Sequence, residues 1–238
     1  MLLEVAGLKK SFGSIVVADD LDHSIAPGEA IGIIGPNGAG KTTLFNLIAG
    51  GLAPTAGHIR FDGRDLLGVL PQGRCRAGIG RTHQIPQPFE KLTVFENLLV
   101  GAVHGRQKSE RETAQSCGEI LERLGLLGRA NRLAGSLTLL ERKRLEMARA
   151  LATAPKLLLL DEIAGGLTEG ECVELVATIR DIRKTGVAVL WIEHVVHALL
   201  AVIDRLVVLN FGRKIAEGLP REVMRRPDVH QIYIGIEA

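Results

Sequence analysis

Three short apolar runs mark the chain: AIGII at residues 30–34, LLLL at residues 157–160 and VAVLWI at residues 187–192. None alternates with polar positions, and turn or charged residues bound each one. Short uninterrupted runs of this kind predict parallel strands buried on both faces. Helical periodicity fills the intervals. One helix is predicted over residues 41–49. A second spans 168–184, with Thr168 as its N-cap and Gly186 just beyond its end. The stretch LVVLNFGRKIAEG at 206–218 reads as a hairpin that turns near Gly212. Between about 88 and 152 the pattern is mostly helical, with few strand-like runs. The expectation is one domain over 1–238: a sheet core from 1–87 and 153–238, and a helical insertion at 88–152.

Composition adds bounds. Of the 238 residues, 46% are hydrophobic and 24% charged, an ordinary globular balance. A net charge of +2 and an aromatic content of 3% argue against nucleic acid as a partner. The cysteines, Cys75, Cys117 and Cys172, are widely spaced and odd in number, which predicts reduced thiols in a cytosolic protein. The N-terminus MLLEVAGLKK has no signal-peptide layout, and the longest apolar run, 195–203, is interrupted by His197 and ends at Asp204. A soluble chain is expected, one that can still sit against a membrane protein.

The segment after the first run carries chemistry. Gly35-Pro36-Asn37-Gly38-Ala39-Gly40-Lys41-Thr42 fits G-x-x-x-x-G-K-[ST] between a predicted strand and a predicted helix. Glycines let backbone N–H groups turn toward phosphate oxygens, and the helix starting near Lys41 aims its positive end at the same anion. Lys41 is expected to reach the β- and γ-phosphates and the Thr42 hydroxyl to ligate Mg²⁺; Thr43 completes the nucleotide-contacting set. The run LLLLDE places Asp161 at the carboxyl edge of a buried strand, where it would hold Mg²⁺ through water. Glu162 points elsewhere and is expected to polarise an attacking water. Read alone, Asp161 and Glu162 could be an acidic cap after a strand; the phosphate loop favours the metal and the water. His194 and His197 in EHVVH lack a third metal ligand. Arg142, Lys143 and Arg144 read as a solvated helix face rather than a nucleic-acid patch.

With these motifs the chain resembles the ATP-binding-cassette (ABC) ATPases over almost its whole length. The resemblance implies an α/β fold: a mainly parallel sheet flanked by helices, an antiparallel β subdomain and a helical insertion. It implies ATP and Mg²⁺ as cofactors. Gln84, closing RTHQ, resembles the glutamine that links magnesium to the transporter interface, and His194, closing WIEH, resembles the histidine that contacts the γ-phosphate. Taken alone, His194 reads better as a helix-capping histidine. Phe12 in LKKSFG sits where the family stacks an aromatic ring on adenine, although a core phenylalanine is a close alternative.

The family signature, L-S-G-G-Q, falls on Leu137-Thr138-Leu139-Leu140-Glu141. Thr138 keeps a hydroxyl and Glu141 is a mild change, so both are expected to approach a partner's nucleotide. Leu139 and Leu140 replace both glycines. Gly165–Thr168 stands in the family's D-loop without its usual aspartate or asparagine.

Long stretches, among them RTHQIPQPFEKLTVFENLLVGA and VVLNFGRKIAEGLPREV, most resemble the ATPase subunits of branched-chain amino acid importers. That likeness implies an ATPase at the cytoplasmic face of the membrane, peripheral, paired with a second ATPase subunit. Transmembrane permease subunits would lie above, their coupling element received near residues 89–103, and a solute-binding protein would act outside. A lipopolysaccharide-export ATPase is the alternative. It would carry a glycine-containing signature and lack NFGRKIAEG. A DNA-maintenance ATPase would need a long coiled coil between phosphate loop and signature, and none is present.

Overall fold

The computed structural model describes residues 1–234. In chain order the elements begin β1 (Leu3–Phe12), β2 (Ile15–Ile25), β3 (Ala30–Ile34), α1 (Lys41–Ala49), β4 (Ala56–Phe61), β5 (Arg64–Asp65), α2 (Pro71–Ala77) and β6 (Ile79–Arg81). Helices follow: α3 (Val94–Arg106), α4 (Glu110–Arg123) and α5 (Leu139–Ala152). The chain then returns to alternating elements: β7 (Leu157–Asp161), α6 (Glu169–Arg183), β8 (Ala188–Ile192), α7 (Val196–Leu200), β9 (Arg205–Asn210), β10 (Arg213–Gly218), α8 (Pro220–Val223) and α9 (Pro227–Ile234).

The strands form two sheets. One is antiparallel, in the order β2-β1-β4-β5; the other runs β10-β9-β3-β8-β7-β6 and is parallel except for the β9–β10 hairpin. The three apolar runs are the adjacent strands β3, β8 and β7, and every residue in them is buried. Their alternating side chains explain the lack of polar positions. Ile31, Ile33, Leu157, Leu159, Leu190 and Ile192 face one core, with Phe45 of α1 and Leu3 and Phe61 of the antiparallel sheet. Ala30, Ile34, Leu158, Leu160, Val189 and Trp191 face the other core, with α5, α6 and the insertion residues Leu98 and Leu121. Because both faces are covered, the apolar positions of these strands are shielded from water.

Four helices start with the same device. Thr93, Ser109, Thr138 and Thr168 each accept a hydrogen bond from the backbone of a glutamate three residues on, and that glutamate side chain returns to the capping residue. Parallel pairing sends the carboxyl ends of β3, β6, β7 and β8 to one edge of the sheet. Ligands collect at such an edge.

On the β9–β10 side, Glu217 lies between Arg205, Lys214 and the buried His23. The nearby His23 imidazole, 3.6 Å away, and then the Lys214 ammonium lower its pKa from 4.5 to about 2, against the opposing effect of burial. A carboxylate whose folded pKa is depressed contributes stability above its unfolded pKa and loses it as the pH falls toward its folded pKa. Glu217→Gln is therefore expected to cost up to about 3 kcal/mol at neutral pH. Denaturant unfolding should show the gap between variant and wild type closing as the pH falls from 4.5 to about 2. A gap that does not change with pH would show that the carboxylate charge contributes nothing.

Candidate active site

The loop between β3 and α1 is shaped by the backbone beneath it. A Cβ at Gly35 would lie 2.1 Å from the Leu209 carbonyl oxygen, and one at Gly40 would lie 2.4 Å from that of Val17. Gly38 has open space around it, but its φ of +79° favours glycine. Glycine is thus required at 35 and 40 by the protein's own strands, a packing demand that the phosphate-approach argument did not anticipate. Pro36, Asn37 and Ala39 complete the loop, with Ala39 buried and Asn37 exposed.

Helix α1 differs from the four helices with capping boxes. Gly40 supplies no side-chain cap, and the first turn holds no acidic residue. Its leading N–H groups and positive dipole end are open to an anion. Thr42 is exposed at this end and Thr43 half-buried. Lys41 is only 5% exposed. Its Nζ donates to the carbonyl oxygens of Gly35 at 2.7 Å and Pro36 at 3.0 Å, folding back over the loop. Among the described residues no carboxylate lies within ion-pairing distance of it. Burial lowers its pKa, opposed by the longer-range charges of Glu162 and Asp161. A buried cation without a paired anion, beside an uncapped helix start, fits a phosphate chain.

Asp161 ends β7 and is buried. Its Oδ2 accepts from Arg81 Nη2 at 3.1 Å, and Arg81 Nη1 donates to Asn46 Oδ1 at 2.6 Å. The Asp161 amide donates to Thr82 Oγ1. Burial raises the pKa of Asp161, and the hydrogen bond and charge of Arg81 oppose the rise. The next residue, Glu162, has a φ of +47°, an uncommon conformation for a residue with a side chain. It turns the Glu162 carboxylate away from Asp161's partners and into a different set: Oε2 accepts from Gln84 Nε2 at 2.5 Å, and Oε1 lies 3.0 Å from His194 Nε2. The structure thus brings Gln84, Glu162 and His194 together at the edge that also carries Lys41 and Asp161.

The remaining candidates make other contacts. Phe12 is 49% exposed at the end of β1, with Lys10 Nζ 4.9 Å from its ring centre, so the core alternative falls. Thr138 and Glu141 hydrogen-bond to each other in the capping box of α5, and the Glu141 carboxylate also accepts from Arg129 Nε at 2.8 Å. Arg129, then the Thr138 amide, lower its pKa. Leu139 is 46% exposed and Leu140 is buried. His197 is exposed, and the described residues contain no group of three or more His, Cys, Asp or Glu placed to hold a metal.

One expectation is overturned. The basic run on α5 is not a solvated face. Lys143 is 4% exposed and donates to the carbonyl oxygens of Ile163 at 2.8 Å and Gly165 at 2.5 Å. Arg142 bonds the Leu137 and Gly135 carbonyls, and Arg144 pairs with Glu174. Helix α5 packs this face against the loop after β7, and charge alone did not reveal it. Sequence reasoning also passed over Arg81, Asn46 and Glu193. Arg81 had a visible signal, a charge at the end of a strand three residues before Gln84. Glu193, directly after the apolar run of β8, had the same kind of signal.

The chain matches the ABC transporter family over residues 18–165. It is 37% identical to the high-affinity branched-chain amino acid transport ATP-binding protein BraF of Pseudomonas aeruginosa, covering 98% of both chains. It is 35% identical to the lipopolysaccharide export system ATP-binding protein LptB of Acidithiobacillus ferridurans, covering 98% of this chain and 97% of that protein. The solved structure of the ADP conformation of MJ1267, an ATP-binding cassette of an ABC transporter, superposes with a TM-score of 0.90 at 34% identity, covering 98% of each chain. The chain belongs to the ABC transporter family.

Proposed function

We propose that this chain is the ATP-binding and ATP-hydrolysing subunit of an importer for branched-chain amino acids or related small polar, amide or organic-acid solutes. The observation that carries the hydrolytic reading is Glu162, whose two carboxylate oxygens are held by Gln84 and His194 on the sheet edge occupied by Lys41. ATP would lie along residues 35–43 with its base against the exposed ring of Phe12. Lys41 would leave the Gly35 and Pro36 carbonyls and pair with the β- and γ-phosphates. The exposed Thr42 hydroxyl, Asp161 and Gln84 offer oxygen ligands for Mg²⁺, which when bound would neutralise charge on the phosphates. Glu162 would orient the attacking water and take its proton, and His194 would hold the γ-phosphate side of the site. The work is mainly positioning and charge stabilisation.

The relatives' names favour import over export: BraF is 37% identical, and LptB is 35% identical. Leu139 and Leu140 and the NFGRKIAEG ending lead away from the exporter pattern as well. Among the described residues no helix is long and apolar enough to cross a membrane, so transport requires permease subunits, with this chain peripheral at their cytoplasmic face. A groove of about 480 Å³ lies between the sheet core and the insertion, lined by Cys75, Arg81, His83, Phe89 and Arg149. It touches residues 89–103 at Phe89, Val100 and Gly101, and its wall includes Arg81, the partner of Asp161. A permease element seated there would lie one side chain from the metal-ligand candidate.

In the proposed pair each ATP is covered by the signature segment of the opposite chain. Here that segment presents an exposed Leu139 and a Glu141 already bonded to Thr138 and Arg129. A site built on the partner's phosphate loop is therefore expected to be the weaker. In reconstituted mixed pairs, Lys41→Ala here should reduce transport more than the matching change in a partner with a glycine signature. Equal losses would remove functional meaning from Leu139 and Leu140. Import itself is tested by purifying the complex from membranes through this chain and measuring ATP-dependent uptake of labelled leucine, isoleucine and valine into proteoliposomes with the solute-binding protein. Uptake is the expected result; lipopolysaccharide extraction without amino-acid uptake would reverse the assignment.

A further inference from the structure

Two buried groups outside the proposed hydrolytic set, Glu193 and Lys143, converge on the loop after β7. Glu193 is 1% exposed. Its Oε2 accepts from the Ala164 amide at 2.9 Å, and its Oε1 accepts from the amides of His194 at 2.9 Å and Val195 at 3.3 Å. On the other side of the same loop Lys143, from α5, holds the carbonyls of Ile163 and Gly165. Ile163 and Ala164 are themselves 1% exposed. Residues 163–165 are thus gripped twice, their carbonyls by a buried cation and their central amide by a buried anion. Glutamate differs from an apolar residue here in having two oxygens, and each serves a different segment: one the loop that follows Glu162, the other the loop that begins at His194.

We propose that Glu193 is a positioning residue for ATP hydrolysis, its buried carboxylate tying the backbone of His194 to the loop that follows Glu162 so that these two side chains keep their register. Lys143 extends the tie to α5, the helix that starts with the signature segment. The proposal rests on the reading of Glu162 and His194 as the hydrolytic pair. A carboxylate accepts at both oxygens; an amide accepts at one and presents N–H groups at the other. Glu193→Gln keeps volume and shape but must leave either the Ala164 amide or the His194 and Val195 amides facing a donor. Register would loosen where the groups must be held within fractions of an ångström, while residues 35–43 stay untouched.

The experiment is steady-state ATP hydrolysis by the intact transporter complex carrying Glu193→Gln, His194→Ala or both. Glu193→Gln should lower kcat about 10- to 100-fold with the KM for ATP unchanged, and the double variant should be no slower than His194→Ala alone, because residues acting as one unit are non-additive. A wild-type kcat in Glu193→Gln, a raised KM with unchanged kcat, or an additive double variant would overturn the proposal. Wild-type turnover in His194→Ala would instead show that the underlying hydrolytic reading is wrong. Should Glu193→Gln fail to assemble, Lys143→Met releases the opposite side of the loop. It should lower kcat at constant KM, and a wild-type kcat there would overturn the tie to α5.

Discussion

Lys41→Ala is expected to abolish tight ATP binding. Among the described residues, Lys41 is a buried cation whose only hydrogen-bond partners are two carbonyls of its own loop. Removing it deletes the charge-assisted contact to the β- and γ-phosphates, about 1.5–3 kcal/mol or more, which is roughly 10- to 150-fold in affinity. It also leaves Asp161 and Glu162 with one fewer neighbouring positive charge, so phosphate would meet a more negative site. Equilibrium dialysis with labelled ATP reads the effect. Unchanged affinity would remove residues 35–42 from phosphate binding.

Glu162→Gln separates binding from chemistry. The loop and α1 are unaltered, so ATP should still bind. Turnover should fall about 10²- to 10⁴-fold, because the amide cannot take a proton from water. The φ of +47° strains glutamine much as it strains glutamate, so backbone cost does not distinguish the two. Glutamine also offers only one acceptor where Gln84 and His194 now meet two oxygens. Single-turnover hydrolysis by the purified variant complex checks it, and a near-wild-type rate would remove Glu162 from the reaction.

Much of the central sheet was legible because it is buried on both faces. The runs at 30–34, 157–160 and 187–192 are uninterrupted since alternate side chains enter two different cores, and they correspond to β3, β7 and β8 within a residue at each end. Thr168 and Gly212 were legible as a helix cap and a hairpin turn because each fills a local role that few residues can. The antiparallel sheet came only from the resemblance. Its strands β1 and β2 are half exposed, with register shifts between them, and leave no clean period. At the site, Lys41, Asp161 and Glu162 could be named from spacing along the chain. Arg81 and Glu193 show only a charge at a strand end; their partners could not be read, because the residue opposite lies 80 positions away for Arg81 and Asp161 and 29 for Glu193 and Ala164. Lys143 shows the same limit from the other side: a basic triplet has one appearance in sequence whether water or a loop backbone faces it.

The most direct test of the central claim is a structure of the Glu162→Gln complex with Mg²⁺ and ATP. The predicted result has the phosphates against the first turn of α1. Lys41 Nζ has moved from the Gly35 and Pro36 carbonyls to the β- and γ-phosphate oxygens, and residue 162 remains between Gln84 and His194. Nucleotide bound away from residues 35–43, or Lys41 still folded onto its own loop with ATP present, would contradict it.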